Sequence, residues 1–192
     1  MKINEIFYSL QGEGYFSGTP SVFIRFCGCN LNCSFCDTDH NTANMELSDE
    51  DILSVIAEWP SRHVVLTGGE PSLQVTSELI SKLHDKGYYV QAETNGTVRL
   101  PDAIDWITCS PKTEKIAYDE VDEIKIIYTG TNTNHQFIRH FETVKAKCYN
   151  LQPCDVGIQQ KNVELMAECI DFIKANPNWN LSIQSHKLLG IR

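Results

Sequence analysis

Long apolar runs, a surplus of basic charge and the cysteine density of a disulfide scaffold are all missing from this chain of 192 residues. No apolar stretch approaches the roughly 18 residues that a bilayer-spanning helix needs. The segment Met1 to Gln11 carries Glu5 and no secretory apolar core. The expectation is a cytoplasmic protein with no membrane partner. Sixteen basic side chains against 25 acidic ones leave a net charge of −9, which argues against direct binding to nucleic-acid phosphates. Hydrophobic residues make up 42% and charged residues 21%, which excludes a disordered chain and suffices for one core. With no linker, repeat or low-complexity tract, residues 1–192 are expected to form a single domain.

The eight cysteines are unevenly placed. Cys27, Cys29, Cys33 and Cys36 fall within ten residues, and Cys109, Cys148, Cys154 and Cys169 are scattered. The scattered group and Cys27 sit mostly in apolar patterns and read as small buried hydrophobes. Clustered thiols in a chain without an export signal more often hold metal or do redox chemistry than form disulfides. Cys29, Cys33 and Cys36 have the spacing C-x3-C-x2-C. Three thiolates from one loop can bind three irons of a cubane iron–sulfur cluster, whereas the usual arrangement supplies four cysteines. The fourth iron is then open to a small molecule. The alternative is structural zinc with Cys27 as fourth ligand, although a single residue between Cys27 and Cys29 is tight for two ligands of one ion.

Short β-branched and aromatic runs alternate with longer amphipathic ones, the signature of β/α units around a parallel sheet. Strands are expected at Glu5–Ser9, Val22–Phe26, Val64–Thr67, Tyr89–Glu93, Trp106–Ser110, Glu123–Tyr128, Lys147–Leu151 and Leu181–Gln184. Ser48 to Asp51 has capping-box spacing before Ile52, Leu53, Val55 and Ile56. Val163, Met166, Ala167 and Ile170 mark a helix that Asn176-Pro177 ends; Thr76–Lys86 and Gln136–Lys145 are further helix candidates. A complete eightfold barrel takes about 250 residues, so the expected fold is α/β, a partial, open TIM-like barrel of about six units. A doubly wound sheet is the competing architecture.

C-x3-C-x2-C after an early strand resembles the radical S-adenosylmethionine (SAM) enzymes. Gly68-Gly69-Glu70-Pro71 resembles their GGEP motif, Glu93-Thr94-Asn95-Gly96 ends the next expected strand, and Ser110-Pro111-Lys112 the one after. Each falls where a β/α barrel carries its chemistry, at the carboxyl ends of strands. The run Ile6 to Gly14 with its Gln11-Gly12-Glu13-Gly14, then Gly18-Thr19-Pro20, Phe23-Ile24-Arg25, Cys36-Asp37-Thr38 and Gln184-Ser185-His186-Lys187, is similar to the 7-carboxy-7-deazaguanine synthases of 7-deazapurine and queuosine biosynthesis.

That resemblance implies a lyase that converts 6-carboxy-5,6,7,8-tetrahydropterin to 7-carboxy-7-deazaguanine with loss of ammonia. It implies a [4Fe-4S] cluster on Cys29, Cys33 and Cys36, magnesium at Thr38, and SAM that is regenerated each turn. SAM contacts are implied at Phe35, Asp37, Gly69, Glu70, Glu93, Ser110, Pro111 and Lys112. Substrate contacts are implied at Leu10, Gln11, Gly12, Glu13, Arg25, Thr67, His186 and Arg192. The physical fit is clearest for Arg25, whose guanidinium fork suits a substrate carboxylate, and for Glu13 or Glu93, which can accept from the N–H groups of a pterin edge. A hydroxyl such as Thr38 is a poor magnesium site unless the substrate carboxylate joins it. The resemblance also implies an external, flavodoxin-like one-electron reductant and a homodimer. His40, His63, His84, His135 and His140 form no metal-binding or catalytic pattern.

Two other functions share parts of this pattern: a radical SAM activase acting on a glycine of a partner protein, and a non-enzymatic zinc module. The cysteine loop predicts brown protein when the chain is purified without oxygen. Iron and sulfide analysis after anaerobic reconstitution is the check, and a colourless, zinc-loaded protein is the outcome that removes the cluster.

Overall fold

The computed structural model describes residues 1–36, 38 and 42–192, with backbone alone at 131–134. Asp37 and His40 lie outside the described residues. The first strands, β1 (Lys2–Leu10) and β2 (Pro20–Phe26), form an antiparallel pair, and the short β3 (Met45–Glu46) adds to the far edge of β1. Helix α1 (Asp49–Ile56) leads into β4 (His63–Gly68), and a 3-10 turn (Pro71–Leu73) and α2 (Ser77–Asp85) lead into β5 (Tyr89–Thr94). Loops then join β5 to β6 (Trp106–Cys109) and β6 to β7 (Glu120–Tyr128). Helix α3 (Thr131–Phe141), β8 (Lys145–Pro153), α4 (Gln159–Ala175), β9 (Asn180–Leu181) and α5 (Ser185–Leu189) complete the order.

Among the described residues the sheet runs β3-β1-β2-β4-β5-β6-β7-β8-β9, parallel from β2 to β9. Its sides differ in chemistry. Val64 and Leu66 of β4, with Val90 and Ala92 of β5, pack on Ile52, Ile56, Leu79, Ile80 and Leu83 of α1 and α2. Ile124, Ile126 and Tyr128 of β7, with Leu151 of β8, pack on Ile138, Phe141, Cys169 and Phe172 of α3 and α4. The alternate residues face the other way, and many are polar yet buried: Gln91, Thr108, Glu123, Lys125, Asn150 and Gln152. A doubly wound sheet covers both faces with helices and reads as continuous apolar strands. Here one face carries the helices and the other encloses a polar interior, so the chain forms the open, partial β/α barrel.

Two closures complete that interior. At the amino ends of the parallel strands, the loop after β1 inserts Phe16 and lays the exposed Tyr15 over the outside. Tyr15 stacks on Trp106 with centroids 4.6 Å apart, and Phe16 meets His63, Tyr89 and Trp106 edge-on. Across the open seam the same loop bonds the segment after β9. Gly14 N–H donates to Ser182 Oγ at 2.9 Å, Gln184 Nε2 to Glu13 Oε1 at 2.9 Å and Ser185 N–H to Gly12 O at 2.9 Å.

Among the boundaries that differ from the sequence expectation, two show their cause, and the cysteines depart from it as well. The last strand is only Asn180–Leu181, because Ser182 to Gln184 turn their polar groups toward the seam. Helix α3 begins at Thr131 and ends at Phe141, since Lys145 is drawn into β8, where it pairs with Glu120. The cysteines are less uniform than small hydrophobes: Cys27 follows β2 in a loop, Cys148 is half-buried, and Cys154 lines a cavity described below. Among the described residues no helix is long and apolar enough to cross a membrane.

The expected capping box is present. Ser48 Oγ accepts from Asp51 N–H at 3.2 Å and Asp51 Oδ2 from Ser48 N–H at 3.0 Å. Ser48→Ala is expected to lower stability by about 1 kcal/mol in urea unfolding, without changing activity, because α1 packs on the helix-bearing face.

Candidate active site

The cysteine loop leaves the carboxyl end of β2 and lies directly on the Gly68-Gly69-Glu70 turn at the end of β4. Gly69 N–H donates to Phe26 O at 3.0 Å and Glu70 N–H to Gly28 O at 2.8 Å. A Cβ at Gly69 would collide with the Gly28 carbonyl, so the glycine is required by close backbone approach. Asn95, just past β5, holds the loop from the other side. Its Nδ2 donates to Asn30 Oδ1 at 2.9 Å and lies 3.9 Å from Cys29 Sγ, which also accepts from Leu31 N–H at 3.4 Å.

Cys29, Cys33 and Cys36 line one wall of a cavity of about 210 Å³, with Phe35, Gly69, Ser110 and Lys112. Among the described residues no three His, Cys, Asp or Glu gather tightly enough to hold a single metal ion. Burial, then the neighbouring Cys36 and Cys29, push the Cys33 thiol up, and Lys112 only partly offsets this. Metal binding is what converts such thiols to thiolates. The donor set therefore fits a cluster with one iron lacking a protein ligand. Opposite it, Lys112 Nζ donates to Ser110 O at 2.8 Å and Ser110 Oγ at 2.6 Å.

A second cavity, of about 570 Å³, adjoins the first, and Glu13, Thr67, Glu93 and Lys187 line both. Its walls carry Leu10, Gln11, Gly12, Arg25, Thr38, His186 and Arg192. Arg25 Nε donates to Glu5 Oε1 at 2.9 Å, and its Nη1 lies 3.4 Å from Thr38 Oγ1. Arg192 pairs with the other Glu5 oxygen, and both guanidinium groups lie over the Phe7 ring, at 5.8 and 5.1 Å. Glu5 thus holds both guanidinium groups at this corner, which lines the second cavity. Gly12 lies under His186, where a Cβ would collide with the imidazole.

Between the cavities stands an ion cluster. Lys125 Nζ is 2.7 Å from Glu13 Oε2 and 2.8 Å from Glu93 Oε2. Burial raises Glu13, but the Lys125 charge and hydrogen bonds from Lys125 and Gln184 outweigh it and bring the carboxyl down to about 2. Burial also raises Glu93; Lys125 pulls it back, Glu123 and Glu13 add to the rise, and the group stands at about 7.

Most of the residues expected from sequence thus converge on one double cavity. Two do not line it. Glu70 is fully buried and faces away, its carboxylate accepting from Ser72 N–H at 3.1 Å, Thr94 Oγ1 at 2.7 Å and Asn95 N–H at 2.7 Å. It ties the turn after β4 to the end of β5. Pro111 is buried and shapes the chain between Ser110 and Lys112. Sequence reasoning missed Lys125, Gln152 and Asp155 and named Gln184 and Lys187 only as part of a motif; all five line the cluster-side cavity. For Lys125 a signal existed, a charge alternating with isoleucines in Glu123-Ile124-Lys125-Ile126, which marks an inward-facing row on a parallel strand.

Comparison with known proteins agrees with this geometry. The radical SAM superfamily model matches residues 23–148. The 7-carboxy-7-deazaguanine synthase of Bacteroides thetaiotaomicron is 49% identical over 192 residues, covering 100% of this chain and 98% of the relative. That of Bradyrhizobium diazoefficiens is 38% identical, covering 99% and 98%. The crystal structure of QueE from Escherichia coli superposes with a TM-score of 0.77 at 31% identity, covering 96% of this chain and 93% of that one.

Gly69→Ala is expected to push the cysteine loop off the β4 turn. Iron retained after anaerobic reconstitution should fall several-fold while the circular dichroism of the folded barrel is unchanged; full iron loading of the variant is the contrary outcome.

Proposed function

The chain belongs to the radical SAM superfamily and, within it, to the 7-carboxy-7-deazaguanine synthases, and from that premise we propose the reaction and the residue roles that follow. The enzyme converts 6-carboxy-5,6,7,8-tetrahydropterin to 7-carboxy-7-deazaguanine with loss of ammonia, residues 1–192 acting as one radical SAM domain. The observation that carries this reading is the shared wall: the cavity beside the three cysteines opens onto a second cavity lined by a guanidinium pair and by hydrogen-bonding groups suited to a flat heterocycle. A cluster held by Cys29, Cys33 and Cys36, with SAM in the space beside it, would supply one-electron radical chemistry to a substrate in the second cavity.

The protein's part is to hold, orient and exclude water. Cys29, Cys33 and Cys36 hold the cluster. Phe35, Gly69, Ser110 and Lys112 line the adjacent space for SAM, Lys112 as the buried cation for its carboxylate. Arg25, with Arg192 beside it, takes the pterin carboxylate through its free Nη face, while Glu5 fixes its Nε. Gln11, Glu13 and Glu93 accept from and donate to the pterin edge, and Leu10, Gly12, Thr67 and His186 frame it. Thr38 Oγ, close to Arg25, is our candidate magnesium ligand, the substrate carboxylate and waters completing a shell that one hydroxyl cannot. Asp37 is carried as a SAM contact by the motif alone. A flavodoxin-like donor of single electrons, a homodimer, a cytoplasmic location and no direct nucleic-acid contact complete the reading, the last supported by the charge of −9.

An activase acting on a partner protein does not need the pterin-sized second cavity, so one experiment separates the two. Anaerobic incubation with SAM, a reductant, magnesium and the carboxylated tetrahydropterin is expected to yield the deazaguanine acid by mass spectrometry. Arg25→Ala is expected to spare cleavage of SAM in the absence of pterin and to lower product formation roughly ten- to a hundredfold, the worth of a charged hydrogen bond of about 1.5–3 kcal/mol. Unchanged turnover removes Arg25 from the substrate site.

A further inference from the structure

The wall between the two cavities is built around a lysine to which no motif points. Lys125 lies mid-strand on β7 with its side chain only 4% exposed, and its ammonium is held at 2.7 Å by Glu13 and at 2.8 Å by Glu93. These two carboxylates come from distant segments, the loop after β1 and strand β5, and each lines both cavities. Their remaining oxygens are partnered from the protein. Glu13 Oε1 accepts from Gln184 Nε2 at 2.9 Å, and Glu93 Oε1 accepts from Gln91 Nε2 at 3.0 Å and Gln11 Nε2 at 3.3 Å. Among the described residues Lys125 is thus a buried cation held between two part-buried carboxylates, and one positive charge does not offset both negative ones.

The charged and titratable groups facing Glu93 are Lys125 and Glu123 on β7 and Glu13 on the β1 loop. Lys112 and Lys187 stand across the first cavity, and Arg25 and His186 across the second. Glu123 is itself engaged, accepting from Asn150 Nδ2 at 2.6 Å, Thr108 Oγ1 at 3.0 Å and Trp106 Nε1 at 3.3 Å. The contest for Lys125 is therefore between Glu13 and Glu93.

We propose that Lys125 is a positioning residue of the reaction: its ammonium clamps Glu13 and Glu93 on the shared wall and decides which of them meets the pterin as a carboxylate. Glu13, held also by Gln184, keeps its charge and accepts from substrate N–H groups. Glu93, raised to about 7 by burial and by the neighbouring Glu123 and Glu13, can face either an N–H or a lone pair of the heterocycle. The catalytic part of this inference rests on the pterin reading above; the charge-setting part does not.

The test uses the anaerobic, cluster-loaded full chain and two readouts. Infrared difference titration follows the carboxyl band that is lost in Glu93→Gln. Its midpoint is expected near pH 7 in the wild type. It should move up by about one unit or more in Lys125→Met, where the ammonium that favours the carboxylate is gone. It should move down in Glu13→Gln, where the competing charge is gone, and stay near the wild-type value in Lys125→Arg. In turnover, Lys125→Met should lose roughly 30-fold or more in kcat for the pterin, and Lys125→Arg, which keeps the charge, should recover most of it. A midpoint that does not move in Lys125→Met overturns the proposal. If that variant fails to hold its cluster, an unmoved midpoint in Glu13→Gln does the same. Wild-type kcat in Lys125→Met overturns the positioning role even if the midpoint moves. Wild-type enzyme that forms no deazaguanine acid, with the infrared shifts present, instead overturns the substrate reading and leaves the charge-setting role standing.

Discussion

A buried polar face is the constraint on which the rest of this structure depends. Every second residue along β5, β7 and β8 points away from the helices into the interior, and there the chain has placed amides, hydroxyls, carboxylates and a lysine. Burying such groups unpartnered costs several kcal/mol each, so the interior must be closed and its hydrogen bonds completed. The loop after β1 plugs one end with Phe16 and lays Tyr15 over the outside, and the segment after β9 bonds that same loop across the seam. Completion is nearly total. Among the described residues Ser72 Oγ is the one buried side-chain polar atom without a partner.

The same constraint explains how an open barrel of six full-length parallel strands offers a double cavity. Parallel register puts Arg25 beside Thr67, and Glu93 beside Thr108 and then Glu123. One inward row therefore runs from the guanidinium corner to the acidic cluster. The carboxyl ends of those strands carry the cysteine loop, the glycine turn and Ser110, which rim the cofactor side. Glu13 and Glu93 stand where the two spaces meet and line both cavities. Charge follows from geometry: one lysine between two acids leaves the pair unequal, with Glu13 brought down to about 2 and Glu93 raised to about 7.

Motif residues divide into those that face ligand and those that build the frame. In Gly68-Gly69-Glu70-Pro71 the glycines permit backbone contact with Gly28, while the carboxylate of Glu70 is spent inside the protein on Ser72, Thr94 and Asn95. Asn95 in turn grips Asn30 beside Cys29. Glu70 thus acts on the cysteine loop through β5 without reaching the cavity, which a linear motif cannot reveal because it records identity and order, not direction.

Features decided within a few residues were legible from the sequence: the C-x3-C-x2-C loop, the Ser48 cap, the strand alternation and the succession of motifs at strand ends. Boundaries shifted where a distant partner intervened, as when Lys145 left the α3 helix to pair with Glu120 and Ser182 left the last strand for the seam. The direction of the Glu70 carboxylate, the union of Arg25 and Arg192 on Glu5, and the clamp of Lys125 on Glu13 and Glu93 were settled only by the tertiary structure. Those contacts join residues 20 to 187 positions apart, and whether they form depends on sheet register, on closure of the seam and on exclusion of water. The sequence by itself specified which chemical groups are available and the order in which strands deliver them; folding decided which of them share a charge, because that depends on burial and distance, and neither is a property of neighbours in the chain.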